Sequence, residues 1–187
     1  MEFARAEYIE KLVAKKHNGR IKVITGIRRC GKSYLLFKLF VNYLHQNNVH
    51  DNQIVQLALD EIGNAKYRNP IELDAYLRSQ IERTSTQYYI LIDEIQFVAE
   101  IKNPYVNDNT AKLTFIDVLL GLMKLPNVDI YVTGSNSKML SSDILTQFRI
   151  VRMKFKYILF PLQKCMKNMR DRNAMHGLII IPMAGCR

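Results

Sequence analysis

"ITGIRRCGKS", Ile24 to Ser33, decides how the rest of the chain is read. A short apolar run, "IKVIT" (Ile21–Thr25), ends at Gly26, and "KSYLLFKLFVNYLHQ" (Lys32–Gln46) follows with apolar residues at helical spacing. Strand, glycine-bounded turn and helix give the pattern G-x-x-x-x-G-K-[ST] the context it requires. The spacing has a physical cause. Gly26 and Gly31 let the backbone curl with its N–H groups pointing inward at phosphate oxygens. The helix that starts at Lys32 adds the positive end of its dipole. Lys32 is then placed to bridge the β- and γ-phosphates of a nucleotide, and the Ser33 hydroxyl to hold Mg2+. Arg28 and Arg29 either face solvent or raise the local positive potential, and Cys30 is a small residue that fits the loop.

Outward from this loop, apolar strands alternate with amphipathic helices. "QIVQLAL" (Gln53–Leu59), "YYILI" (Tyr88–Ile92) and "VDIYVTG" (Val128–Gly134) read as strands. "NPIELDAYLRSQIERT" (Asn69–Thr84), with Pro near its first turn, and "TAKLTFIDVLLGLMKL" (Thr110–Leu125) read as helices. "KNPYVNDN" (Lys102–Asn109) is a polar loop. "YYILI" shows no polar alternation, as expected of a strand covered on both faces. The order strand, helix, strand, helix implies an α/β layered domain with a parallel sheet and crossover helices.

In such a sheet, ligands sit at the carboxyl ends of the strands. "YYILIDEIQ" puts Asp93 and Glu94 there. Asp93 suits Mg2+, and Glu94 suits a general base that activates the attacking water. Gln96 either contacts the nucleotide site or begins the next turn. "TGSNSK" ends the fourth strand, so Thr133, Ser135 and Asn136 lie at the same sheet end. Asn136 is the favoured one to hydrogen-bond the attacking water or sense the γ-phosphate, against the alternative of a turn that starts a helix at Lys138. Asp60, at the end of the second strand, reads as a cap for the following turn.

Composition narrows the classes further. A chain of 187 residues holds one ordinary domain, with or without an appendage. There is no apolar run long enough to span a bilayer. The opening "MEFARAEYIEKLVAKKHNGR" reads as a basic amphipathic helix and has no signal-peptide core. Cys30, Cys165 and Cys186 lack metal-site spacing and suit a reducing cytoplasm, and the isolated histidines argue against a metal centre of their own. The net charge of +10 invites a nucleic-acid partner, but its distribution does not support one strongly. Residues 1–149 carry a net charge of +3, and residues 150–187 carry +7.

"ITGIRRCGKSYLL", "LIDEIQ" and "IYVTGSNSKMLSSDILTQFR" together resemble a family of AAA+ type P-loop ATPases of bacteria and archaea, in which an ATPase domain precedes a C-terminal domain of unassigned role. The resemblance covers nearly all of residues 5–149. It implies a P-loop three-layer sandwich with strand order 5-1-4-3-2, ATP and Mg2+ as ligands, and Asn136 as the sensor on strand four. The implied site has Lys32, Glu94 and Asn136 at the chemistry. Gly26, Ile27, Arg28, Arg29, Cys30, Gly31, Lys32, Ser33 and Tyr34 lie around the nucleotide, and Ser33 and Asp93 at the metal. The expected activity is hydrolysis of ATP to ADP and phosphate. Alternatives are a nucleotide-gated switch with slow turnover and a nucleic-acid-dependent ATPase. The cellular process and any protein partner are not legible, and assembly into an oligomer is compatible with the family.

The resemblance stops after "TQFR". The family continues with Gly-Arg, then E-I-x-x-Y-P-L-S-F-x-E, and later A-W-x-x-Y-x-x-Y-G-G-M-P. This chain reads "IVRMKFKYILFPLQKCMKNMRDRNAMHGLIIIPMAGCR". Codons permitted for Ala174–Arg187, read two bases on, yield H-A-W-L-D-Y-Y-T-Y-G-G-M-P, and the same shift over Met153–Met169 permits E-I-Q-I-Y-P-L-S-F-A-E-M-Y-E-E-Y-E. Residues 150–187 therefore read as an out-of-frame tail, poorly ordered or accidentally packed, after an ATPase domain over 1–149. The alternative is a selected basic tail that binds nucleic acid. Strand five is expected to be missing or replaced, with "KYILF" (Lys156–Phe160) as the substitute. Without a substitute, the phosphate-loop strand becomes an exposed edge. With the family's strand five, the lid after it and the Gly-Arg pair all lost from the reading, nucleotide binding in this chain is expected to be weak or absent, with little hydrolysis. Arg149 is a weak candidate for the lost trans-acting arginine. The gene sequence around codon 149 tests the shift: an open +2 reading that encodes both signatures is expected, and stop codons in it would sink the idea.

Overall fold

The computed structural model describes residues 3–26, 29–82, 86–108, 110–135 and 156–159. Five strands form one parallel sheet: β1 (Lys22–Gly26), β2 (Ile54–Ala58), β3 (Tyr88–Asp93), β6 (Val128–Ser135) and β7 (Lys156–Leu159), in the order β2-β3-β6-β1-β7. In sequence terms this is the expected order 5-1-4-3-2. Strand five is replaced rather than missing. Lys156–Leu159 pairs in parallel with Lys22–Thr25, so both sides of β1 are bonded and the expected exposed edge is covered. That edge is one of the three grounds for expecting weak nucleotide binding; the positions of the lid and of the Gly-Arg pair lie outside the described residues. A separate two-stranded ribbon, β4 (Ile101–Lys102) with β5 (Lys112–Leu113), brackets the polar loop.

Parallel strands cannot be joined by tight hairpins, so each connection crosses a face of the sheet. The two faces carry separate cores because successive side chains in a strand point to opposite sides. Ile90, Ile92, Ile130 and Val132 pack with Leu73 and Leu77 of α4 (Pro70–Ser79) and with Ile116, Leu119 and Leu122 of α5 (Phe115–Met123). Tyr89, Leu91, Tyr131 and Ile24 pack against α1 (Phe3–Val13) and the helix after the phosphate loop, through Leu12, Leu36, Phe40 and Leu44. That gives three layers. The phosphate-loop helix begins as α2 (Lys32–Tyr34), widens to a π-helical stretch over Leu35–Phe40, and ends as α3 (Val41–Gln46). The wider turn puts Leu35 and Phe40 together in the core.

Some boundaries differ from the sequence reading. α4 ends at Ser79, short of the expected Thr84. α5 starts at Phe115 rather than Thr110. Lys112–Leu113 pairs with the ribbon, and the Thr114 side chain caps the helix in a reciprocal box with Asp117. Asn136, Arg149, the expected helix at Lys138 and residues 160–187 lie outside the described residues.

One feature of "IKVIT" was not anticipated. Lys22 is fully buried and its ammonium donates to Asp129. The other Asp129 oxygen accepts from the Tyr131 hydroxyl at 2.9 Å and from the His17 backbone N–H at 3.1 Å. Burial pulls the Lys22 pKa down against the hold of Asp129. Burial, followed by the Asp129 charge, pushes Tyr131 up, so its hydroxyl stays a donor. Breaking a buried pair strands one charge. Asp129→Ala is expected to cost about 3–5 kcal/mol, and the double change Lys22→Met with Asp129→Leu to recover most of it. Urea denaturation midpoints of the three proteins measure this.

Candidate functional site

The site forms where β1, β3 and β6 end. β1 delivers Gly26, and the chain re-enters helix at Lys32. Gly31 sits in the left-handed region at φ 95°, where an added Cβ would meet nothing within 4 Å. The glycine is therefore required by backbone conformation and not by space. Arg29 is also left-handed, at φ 61°, an uncommon state for a side-chain-bearing residue that marks how tightly the loop curls. Among the described residues, no side chain caps the start of α2. Cys30 is buried, Arg29 is exposed, and Tyr34 is half-exposed at the helix start. Ile27 and Arg28 lie outside the described residues.

Lys32 is 3% exposed, and its ammonium lies 3.3 Å from the Gly26 carbonyl oxygen and 3.7 Å from Glu94 Oε1. Asp93 ends β3 and is equally buried. Burial raises its pKa above the ordinary carboxylate value, while hydrogen bonds from Ser33 and Thr133 pull it back, and the charges of Glu94 and Asp60 add to the rise. Ser33 and Asp93 are thus brought within hydrogen-bonding reach of each other. They offer a hydroxyl and a carboxylate side by side. That donor set fits Mg2+, which keeps several waters and takes few protein ligands. No cluster of three or more His, Cys, Asp or Glu suited to a metal occurs among the described residues.

Glu94 follows in a left-handed conformation at φ 55°. Such a conformation costs of order 1–3 kcal/mol in a residue other than glycine and tends to collect at functional sites. Its backbone N–H donates to the Thr133 hydroxyl oxygen at 3.0 Å, and that hydroxyl in turn donates to Asp93. Thr133 thereby fixes both acidic residues at once. Sequence reasoning placed Thr133 at this sheet end but favoured Asn136. The missing signal was register: Ile92 pairs with Val132, which sets Asp93 beside Thr133. Gln96 donates its amide N–H to Glu94 Oε2, while its own carbonyl oxygen is buried without a partner. The Thr25 hydroxyl, at the mouth of the loop, is also buried and unpartnered. Each such group costs about 1–3 kcal/mol.

Arg68 was not singled out by the sequence. Its guanidinium donates to the Leu59 carbonyl at 2.8 Å and the Asp60 carbonyl at 3.1 Å, and it lies over the Phe97 ring at 5.1 Å. It ties the loop after β2 to the turn after β3. Asp60 is exposed and contributes its charge to the site rather than a contact.

The AAA domain family model matches residues 18–164, most of the chain, including β7. The chain belongs to the AAA domain family. It is 28% identical over 163 residues to an uncharacterized protein of Haemophilus influenzae, a match covering 83% of this chain and 37% of that protein. Among solved structures, a DNA polymerase III gamma subunit-related protein from Thermotoga maritima superposes with a TM-score of 0.52 at 14% identity, over 87% of this chain and 48% of that one. AMPPCP-bound DnaA from Aquifex aeolicus gives a TM-score of 0.50 at 14% identity, over 94% and 52%. These structures share the fold of this AAA domain. The chain spans about a third to a half of the length of each. No helix among the described residues is long and apolar enough to cross a membrane.

The buried Asp93 charge gives a test of this AAA domain's site. Asp93→Asn is expected to raise the melting temperature of the nucleotide-free domain at neutral pH, because it removes a desolvated charge. Between the ordinary carboxylate pKa of 3.8 and the raised folded value, the folded state holds more proton than the unfolded one. The gain from Asp93→Asn should therefore shrink as pH falls through that window, where the parent neutralises itself. Melting temperatures of the two proteins across pH 4–7 (a span of about three units around the window) would show it, and a variant less stable at neutral pH would refute it.

Proposed function

We propose that this AAA domain binds ATP with Mg2+ and hydrolyses it to ADP and phosphate. The observation that carries the reading is the convergence on one spot of a phosphate-seeking ammonium, a hydroxyl–carboxylate pair and a second carboxylate. These are Lys32, Ser33 with Asp93, and Glu94. The phosphate chain would lie in the curl from Gly26 to Ser33, along its backbone N–H groups and the start of α2. Lys32 would leave Glu94 for the β- and γ-phosphates. Ser33 and Asp93 would hold Mg2+, which supplies charge neutralisation to the phosphates when bound. Glu94 would take a proton from water as the water oxygen bonds to the γ-phosphorus. The bond from that phosphorus to the β–γ bridging oxygen breaks, and the electron pair leaves with ADP. Arg29, Cys30 and Tyr34, with Ile27 and Arg28, complete the proposed nucleotide contacts, and Asn136 remains the proposed sensor of the γ-phosphate.

Two substitutions separate binding from chemistry. Lys32→Ala is expected to weaken ATP binding by about 2–5 kcal/mol, roughly 30-fold or more. Glu94→Gln should keep binding but lower turnover by about 100- to 10,000-fold. Isothermal titration with ATP–Mg2+ and a phosphate-release assay read the two effects. Turnover that survives Glu94→Gln unchanged would remove Glu94 from the chemistry.

A further inference from the structure

Gln96 has no obvious reason to be a glutamine on structural grounds alone. Its amide N–H donates to Glu94 Oε2, and its carbonyl oxygen is buried with no partner. An amide flip would set that oxygen against a carboxylate, so the orphan acceptor cannot be relieved by turning the group over. A methionine or leucine would fill the place without leaving a polar atom unsatisfied. The glutamine is therefore held for what its N–H does to Glu94.

Glu94 is pinned at three points. Its backbone N–H is fixed on Thr133 at 3.0 Å, Oε1 lies 3.7 Å from the Lys32 ammonium, and Oε2 is taken by Gln96. The side chain is only 15% exposed. Oε1 faces the Lys32 ammonium, and Oε2 is held by the Gln96 amide. We propose that Gln96 is a positioning residue that holds Glu94 by Oε2, so that the departure of Lys32 to the phosphates frees Oε1 and nothing else. The freed oxygen already faces the phosphate loop, because the Lys32 ammonium it faced lies within reach of the Gly26 carbonyl. Nucleotide binding and arming of the base are then one event, with the lysine as the moving part and the glutamine as the fixed one. This rests on the reading of Glu94 as the base of an ATPase.

Gln96→Met in the full chain tests it, alone and combined with Glu94→Ala. Without its amide donor, Glu94 leans harder on Lys32, so ATP must compete more strongly for the lysine. Gln96→Met should weaken ATP affinity by roughly three- to tenfold. It should lower kcat by about 10- to 100-fold, since the base is no longer aimed. Both effects should vanish in the Glu94→Ala background. In the nucleotide-free protein, the urea midpoint should show the same coupling between the two positions, which checks the contact without any turnover. Equal effects of Gln96→Met in both backgrounds would mean that it acts elsewhere and would overturn the proposal. Coupling in the midpoint and in ATP affinity, in a parent chain that does not hydrolyse ATP, would overturn the ATPase reading and leave the clamp on Glu94 standing. Absence of ATP binding in the parent chain would overturn both uses of the site.

Discussion

A parallel strand has no short way to its neighbour, and the architecture of this domain follows from that constraint. Every connection between sheet strands must cross a face, so the strands all run one way and all their carboxyl ends meet at one edge. Gly26, Asp93 and Ser135 end three adjacent strands there. Residues far apart in the chain reach hydrogen-bonding distance without any special device, as Thr133 and Asp93 do across a separation of 40 positions. The strand that launches the phosphate loop lies inside the sheet, between β6 and β7. Its position is thereby fixed from both sides, and the loop inherits that rigidity.

The same face of the sheet carries two groups of buried charge, one near each end, and they are treated differently. At the amino end, Lys22 and Asp129 form a closed set: Asp129 accepts from the Lys22 ammonium, the Tyr131 hydroxyl and the His17 backbone. At the carboxyl end, Asp93 is buried at a raised pKa, Glu94 sits in a strained backbone conformation, and the Thr25 and Gln96 oxygens have no partner. A domain selected only for stability would satisfy or delete those groups. The contrast within one sheet argues that the unsatisfied end exists for a ligand, while the satisfied end fixes the packing of α1 and its following loop.

Much of this was legible before any coordinates. Gly26, Gly31, Lys32 and Ser33 announce a phosphate loop because the backbone geometry demands glycine, and the charge of the ligand demands lysine, at fixed spacing. Asp93 and Glu94 were visible because two carboxylates directly after an apolar strand are hard to explain as core. Thr133 was less legible. Its role depends on which residue of β3 stands beside it, and register between strands is set by the whole sheet. Lys22 was read as part of an apolar run because its partner Asp129 stands 107 residues away. Arg68 carried no signal, since its work is done on backbone carbonyls, which any sequence supplies.

The sequence by itself determined the class of fold and the identity of the loop, because local periodicity and local glycine chemistry act over a few residues. It also pointed to a nucleotide's phosphates as the expected ligand of that loop. Tertiary structure decided what could not be local. It put Lys156–Leu159, in a segment of altered composition, beside the phosphate-loop strand, because an open parallel edge accepts any extended apolar segment with the right length. It set Thr133 between Asp93 and Glu94. It also gave Gln96 its hold on Glu94, two residues away in sequence, through a left-handed turn that the sequence does not display.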